Sequence, residues 1–203
     1  MDKKQINSYQ PIPLPFKKKL SDKSMKLKSD NFLLKMKGRH TIRDFSDRLV
    51  PYSVIENCIK VACSAPSGAN LQPWHFVVIS DPNIKSKIRI AAENEERKFY
   101  NDLKKDEWLK ALEPIGTNPD KPHLQIAPWL IVVFLERYRE LSDGSKRKNY
   151  YVPESVGIAT GFLISALHFS GLSCLTHTPN PMFFLNKICD RPVSNKASLI
   201  IAV

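Results

Sequence analysis

Residues 130–135 read Leu-Ile-Val-Val-Phe-Leu, six apolar positions in succession. Side chains alternate between the two faces of a strand, so a strand with this sequence needs apolar cover on both faces. A one-layered sheet is thereby excluded, and helices are required on either side. With its flanks this strand covers 129–136, and three other runs rich in branched and aromatic residues, 75–80, 172–176 and 198–203, supply its companions. Pro51 opens a helix in which Val54, Ile55, Cys58, Ile59 and Ala62 keep three-and-four spacing, and Pro66 ends it near Ser64. Residues 155–172 contain no charged side chain and reach the lower limit of length for a bilayer span. His168, several hydroxyls and the four-residue recurrence of Gly157, Gly161 and Ser165 favour a core or subunit-contact helix over a membrane span. The expected class is α+β, an α/β/α sandwich with a mixed central sheet flanked by helices.

Charge is unevenly distributed along the 203 residues. The chain holds 31 Lys and Arg against 20 Asp and Glu, a net +11, yet residues 1–37 alone carry ten lysines and only Asp2, Asp22 and Asp30 as acids. Two parts follow: a basic N-terminal arm and helix over 1–37 and a domain over 38–203. Pro11, Pro13 and Pro15 keep the arm over 1–20 extended, and a helix is expected over 21–37. The charge lacks interleaved aromatics and a base-reading helix, so no nucleic-acid partner is expected, and no membrane partner either. Cys58, Cys63, Cys174 and Cys189 form no C-x-x-C pair, which predicts no metal site and buried thiols in a reducing cytoplasm. Ser8, Gln10 and the prolines break any secretory apolar stretch, so the expected location is cytoplasmic. Residues 137–150 are charged around Asp143-Gly144 and read as an exposed loop. The chain stops within an apolar run at Val203, as expected of a C-terminal truncation or of an end that pairs with another chain.

Three segments offer chemistry. In Ala65-Pro66-Ser67-Gly68-Ala69-Asn70-Leu71-Gln72-Pro73-Trp74, proline and glycine force non-helical backbone and Ser67, Asn70 and Gln72 bring hydrogen-bonding groups. This is either a ligand-facing loop or a plain helix-to-strand connector. In Gly38-Arg39-His40-Thr41-Ile42-Arg43, two arginines four apart suit a phosphate or a ring carbonyl, or are simply solvated. The third lies on the helix after the first strand, where Ile84, Ile88, Ala92, Glu96 and Tyr100 follow one four-residue stripe. With Lys121, this carboxylate and phenol compose a receptor for a zwitterion: Glu96 for an ammonium, Lys121 for a carboxylate, Tyr100 as an orienting hydroxyl. A charged solvated helix is the plainer reading of the same residues.

Taken in order with Thr176-His177-Thr178-Pro179, these segments make residues 36–203 resemble the nitroreductase superfamily of flavin mononucleotide (FMN) enzymes. The resemblance implies a domain-interleaved homodimer with active sites at the subunit interface. Arg39, His40, Thr41, Arg43, Thr176 and His177 would then hold FMN, joined by Pro66, Ser67, Gly68 and Asn70, which in this family commonly come from the partner. Thr178 resembles the threonine that hydrogen-bonds flavin N5, the atom exchanging the hydride, and is the expected catalytic residue. NAD(P)H is the implied electron source.

The positions of Glu96, Tyr100 and Lys121 resemble the iodotyrosine deiodinase branch, with the Ala69 amide facing the halogenated ring. That branch implies reductive dehalogenation of halotyrosines, with the Glu96 to Lys121 segment closing as a lid. A general nitroreductase or quinone reductase is the alternative within the superfamily, and a basic binding module the alternative outside it.

Overall fold

The computed structural model describes residues 10–14, 18–101 and 106–203. Residues 1–9 and 15–17 of the expected extended arm lie outside the described residues. The chain divides into two compact units, Met1–Lys37 and Gly38–Val203. In the first, helix α1 (Asp22–Lys37) begins where the Ser21 hydroxyl accepts a hydrogen bond from the Ser24 amide at 3.3 Å, and it buries no side chain.

The second unit follows with α2 (Tyr52–Cys63), β1 (Trp74–Ile79), α3 (Pro82–Tyr100), α4 (Asp106–Leu112), α5 (His123–Ile126) and β2 (Leu130–Glu136). A small hairpin, β3 (Tyr138–Glu140) with β4 (Lys146–Lys148), precedes α6 (Val152–Phe169), β5 (Leu175–His177), α7 (Phe184–Ile188) and β6 (Asn195–Ala202). The main sheet has the order β1-β2-β6-β5, and its ladders are all antiparallel. The expected mixture of directions is therefore confined, among the described residues, to one isolated parallel bridge between Thr41 and Cys174.

The apolar run of β2 explains the layers. Leu130, Val132 and Phe134 pack with Ile88 and Ala92 of α3, Leu124 of α5, Leu185 of α7 and Ile200 of β6. Ile131 and Val133 point the other way, into Ile55, Cys58 and Ala62 of α2 and Val156, Leu163 and Leu167 of α6. Each such buried aliphatic side chain contributes about 1.5–3 kcal/mol, which makes the two-sided cover of β2 the main source of cohesion. Helix α3 is fixed at its start, where Asp81 accepts from the amides of Asn83 and Ile84 at 2.8 and 2.9 Å. Lys85 Nζ ties the same helix to the entry of β2 by donating to the Ala127 carbonyl at 2.8 Å.

Three expectations need correction. Residues 137–150 are a hairpin as well as a turn: Asp143 Oδ1 accepts from both the amide and hydroxyl of Ser145, with Gly144 at φ 78°. Its short strands are exposed, so no apolar alternation announced them. The strand expected over 172–176 begins only at Leu175, because Cys174 pairs with Thr41 instead. Cys63 is exposed, since the helical period that turns Cys58 and Ala62 inward turns it outward. Helix α6 has the length and composition of a membrane span, and seven of its side chains are buried within the unit. Gly157, Ile158, Gly161 and Phe162 form an exposed strip along it.

Candidate active site

One end of the sheet opens into a cleft of about 640 Å³, within the size range of small-molecule and cofactor sites. Its walls come from the last turns of α3, the segment from Leu112 to His123, the residues after β5, and Arg43. The α3 stripe that buries Ile88 and Ala92 carries Glu96 and Tyr100 into this cleft.

Glu96 is the centre of the arrangement. Lys121 Nζ approaches Glu96 Oε2 at 3.4 Å, with the two side chains 5% and 14% exposed. Lys121 also donates to Thr117 Oγ1 at 3.1 Å and to the Asn118 carbonyl. Burial pushes the Glu96 carboxyl up, and the Lys121 ammonium opposes that rise without cancelling it. His177 Nε2 lies 3.7 Å from the other oxygen, Oε1. Burial first, then the neighbouring His123 and Lys121, lowers His177 to about 3, so this approach joins a neutral imidazole to the carboxylate and is no ion pair at neutral pH. His123 meets His177 edge to face at 5.6 Å and is itself lowered to about 4, chiefly by burial and then by Lys121 and Arg43. Tyr100 Oη, His123 Nε2 and His177 Nε2 are buried without a hydrogen-bond partner. Three orphaned polar atoms around one cleft are expensive unless a ligand or water completes them.

Glu93, which the sequence reading passed over, holds this wall in place. Its Oε1 accepts from Arg89 Nε at 2.7 Å and from the Lys121 amide at 2.9 Å, while Arg97 lies 3.3 Å from Oε2. Burial works to raise this carboxyl, but those hydrogen bonds and the two guanidiniums outweigh it and hold Glu93 below the usual range. The Arg89, Glu93, Arg97 row at four-residue spacing was the available signal.

The expected cofactor residues fall into two groups. Arg43, Thr176, His177 and Thr178 line the cleft with Glu96, Tyr100 and Lys121. Arg39, His40 and Thr41 precede Arg43 in the chain but do not line the cleft: Thr41 bridges to Cys174, and Arg39 is near enough for its charge to act on that thiol. Pro66, Ser67, Gly68, Ala69 and Asn70 are elsewhere. Ser67 Oγ accepts from the Gln72 amide at 2.9 Å, and the Gly68 amide donates to Ser155 Oγ at 3.2 Å. A Cβ on Gly68 would come within 2.8 Å of the Tyr151 ring, so glycine is demanded by that close approach. Ala69, Asn70 and Gln72 hold left-handed backbone, with φ between 48° and 54°, and Ala69 and Asn70 line a second cleft of about 560 Å³ with Trp74, Arg139 and Arg147. Ala69 and Glu96 thus belong to different clefts of one chain. No group of three or more His, Cys, Asp or Glu suited to a metal exists among the described residues.

Within the cleft Arg43 and the hydroxyls of Thr176 and Thr178 suit the anionic and polar parts of a planar cofactor, while the acids Asp44, Glu95, Glu96 and Asp120 suit a cationic group. The fold and this cleft define the class, and the chain belongs to the nitroreductase family, whose model matches residues 36–203. More narrowly, it is similar to iodotyrosine deiodinases. That of Haliscomenobacter hydrossis is 55% identical over 176 residues, covering 87% of this chain and 79% of the relative. That of Nematostella vectensis is 37% identical over 194 residues, covering 95% and 74%. A crystal structure of oxidized iodotyrosine deiodinase bound to FMN and 3-iodo-L-tyrosine superposes with a TM-score of 0.74 at 32% identity, covering 84% of this chain and 87% of that one. A BluB-like flavoprotein from Clostridium difficile 630, at 19% identity and TM-score 0.63, covers 86% and 88% and shares the fold.

Proposed function

We propose that this protein is an FMN-dependent oxidoreductase that removes halogen reductively from halotyrosines. The observation that carries the reading is the convergence of Glu96, Tyr100 and Lys121 on one cleft that also holds Arg43 and Thr178. The overall change replaces a carbon–halogen bond by a carbon–hydrogen bond, consuming two electrons and a proton and releasing halide. FMN, when bound, supplies the electrons, and NAD(P)H is the source we assign for them.

The chain's own residues bind, orient and enclose. Arg39, His40, Thr41 and Arg43 would hold the cofactor's phosphate and pyrimidine edge, Thr176 its polar rim, and Thr178 its N5 through the hydroxyl. Glu96 takes the substrate ammonium and Lys121 its carboxylate, so the pair that neutralise each other at 3.4 Å exchange partners when a zwitterion enters. Tyr100 Oη, buried and unpartnered, donates to the same amino acid. These contacts draw the segment before Lys121 over the ring and exclude water, which strengthens every charge interaction inside.

Pro66, Ser67, Gly68, Ala69 and Asn70 complete the site from a second copy in this proposal. Their separation from Glu96 within one chain and the exposed strip of Gly157, Ile158, Gly161 and Phe162 support a homodimer. We place the enzyme in the cytoplasm, in keeping with free thiols at all four cysteines.

Titrating the FMN-bound protein with 3-iodo-L-tyrosine tests the assignment. Saturable quenching of flavin fluorescence is expected, and an unchanged signal at saturating amino acid would contradict it.

A further inference from the structure

Lys121 accounts for only one side of Glu96. The opposite oxygen, Oε1, faces His177 Nε2 at 3.7 Å, just beyond hydrogen-bond reach. His177 has a side chain only 10% exposed, and its Nε2 has no hydrogen-bond partner. The His123 ring stands edge-on to it at 5.6 Å and is also buried, so the imidazole is confined between His123 and Glu96. This is an unpartnered imidazole nitrogen on β5, set beside a carboxylate whose other oxygen meets Lys121.

We propose that His177 is a specificity-determining positioning residue, whose Nε2–H braces Glu96 Oε1 so that Oε2 is presented to the ammonium group of an α-amino-acid substrate. The inference rests on the receptor reading above and goes beyond it, because it concerns a residue that the family resemblance gave to the cofactor. The charge argument is direct. Lys121 and a substrate ammonium compete for Glu96, and once Lys121 turns to the substrate carboxylate, Glu96 loses the group that fixed it. A cationic brace would neutralise the carboxylate and weaken its hold on an ammonium. His177 carries no charge near neutrality and donates without that cost. Among the described residues, Glu96 has Lys121 beside it, Tyr100 one turn along α3, and His177 backed by His123, with Arg43, Asp44, Glu95 and Asp120 lining the same cleft.

The test compares two probes by calorimetry on the FMN-bound protein: 3-iodo-L-tyrosine and 3-(4-hydroxy-3-iodophenyl)propanoate, which keeps ring and carboxylate but lacks the ammonium. His177→Phe is expected to weaken iodotyrosine by about tenfold, the loss typical of one hydrogen bond to a charged group, and the propanoate by less than about twofold. His177→Gln, which restores a donor, should return iodotyrosine to within about threefold of the native affinity. Equal weakening of both probes, no weakening of either, or Gln no better than Phe overturns the proposal. Loss of FMN in both variants also overturns it, by assigning His177 to the cofactor. Glu96→Gln separates the two levels of the argument. If it fails to discriminate the probes, the receptor reading falls and this inference with it. If it discriminates and His177→Phe does not, the inference alone falls.

Discussion

Glu96 shows how its surroundings alter the chemistry of one side chain. Burial makes its charge costly and Lys121 offsets part of that cost, leaving its carboxyl above the ordinary range. The ammonium of an amino acid needs the ionised form, so halotyrosine affinity should decline on acidification while the enzyme is still folded. The decline should begin at a higher pH than an unperturbed carboxylate would give. Affinity measured against pH for iodotyrosine and for the ammonium-free propanoate checks this, since only the first should show it. His123 and His177 govern stability instead. Both are lowered, to about 4 and about 3, so the folded state resists protons that the unfolded chain accepts near pH 6.5. Their contribution is present above that value and lost as pH falls toward 4, at about 1.4 kcal/mol per pH unit for each histidine. Melting temperature should accordingly drop below pH 6.5, and His177→Gln should flatten that acid limb; an unchanged limb would contradict the buried, neutral assignment.

At the scale of the element, α3 does two jobs along one face. The stripe through Ile88 and Ala92 seals the core, and its continuation presents Glu96 and Tyr100 to the cleft. Glu93, one step round the helix, fastens the Lys121 amide to α3 between Arg89 and Arg97. Glu93→Ala removes that fastening without touching substrate. It should cost about 1–3 kcal/mol in denaturant unfolding and weaken iodotyrosine severalfold, because Lys121 is no longer held opposite Glu96. Stability lost with affinity unchanged would show that the tie serves only the fold. The four-residue spacing made Glu96 and Tyr100 legible in the sequence, since a helix turns that spacing into one face. Lys121 could be paired with them in the sequence only by its charge, because its approach to Glu96 depends on how the chain from α4 to α5 returns across the cleft. The β3–β4 hairpin and the His123–His177 contact were hidden for related reasons: exposed three-residue strands have no apolar period, and two histidines on different elements meet only through tertiary packing.

For the whole molecule, the two-sided apolar run of β2 dictated the sandwich, and the structure bears that out in detail. Ala69 and Glu96 line separate clefts of one chain, which is why the proposed site calls for a second copy. The exposed small-residue strip of α6 is the surface on which we expect a second copy to seat, where close helix approach needs the missing side chains of Gly157 and Gly161. Gly161→Glu should convert the protein from a particle of twice the chain mass to one of single mass by light scattering, with loss of bound FMN. A monomer that keeps FMN and activity would contradict the shared site. The most direct measurement is a single turnover without NAD(P)H or oxygen: FMN-bound protein is reduced with dithionite, freed of excess reductant, and mixed with 3-iodo-L-tyrosine. One iodide and one tyrosine should be released for each flavin reoxidised. Flavin that stays reduced, with iodotyrosine recovered intact, would contradict reductive dehalogenation as the function of this cleft.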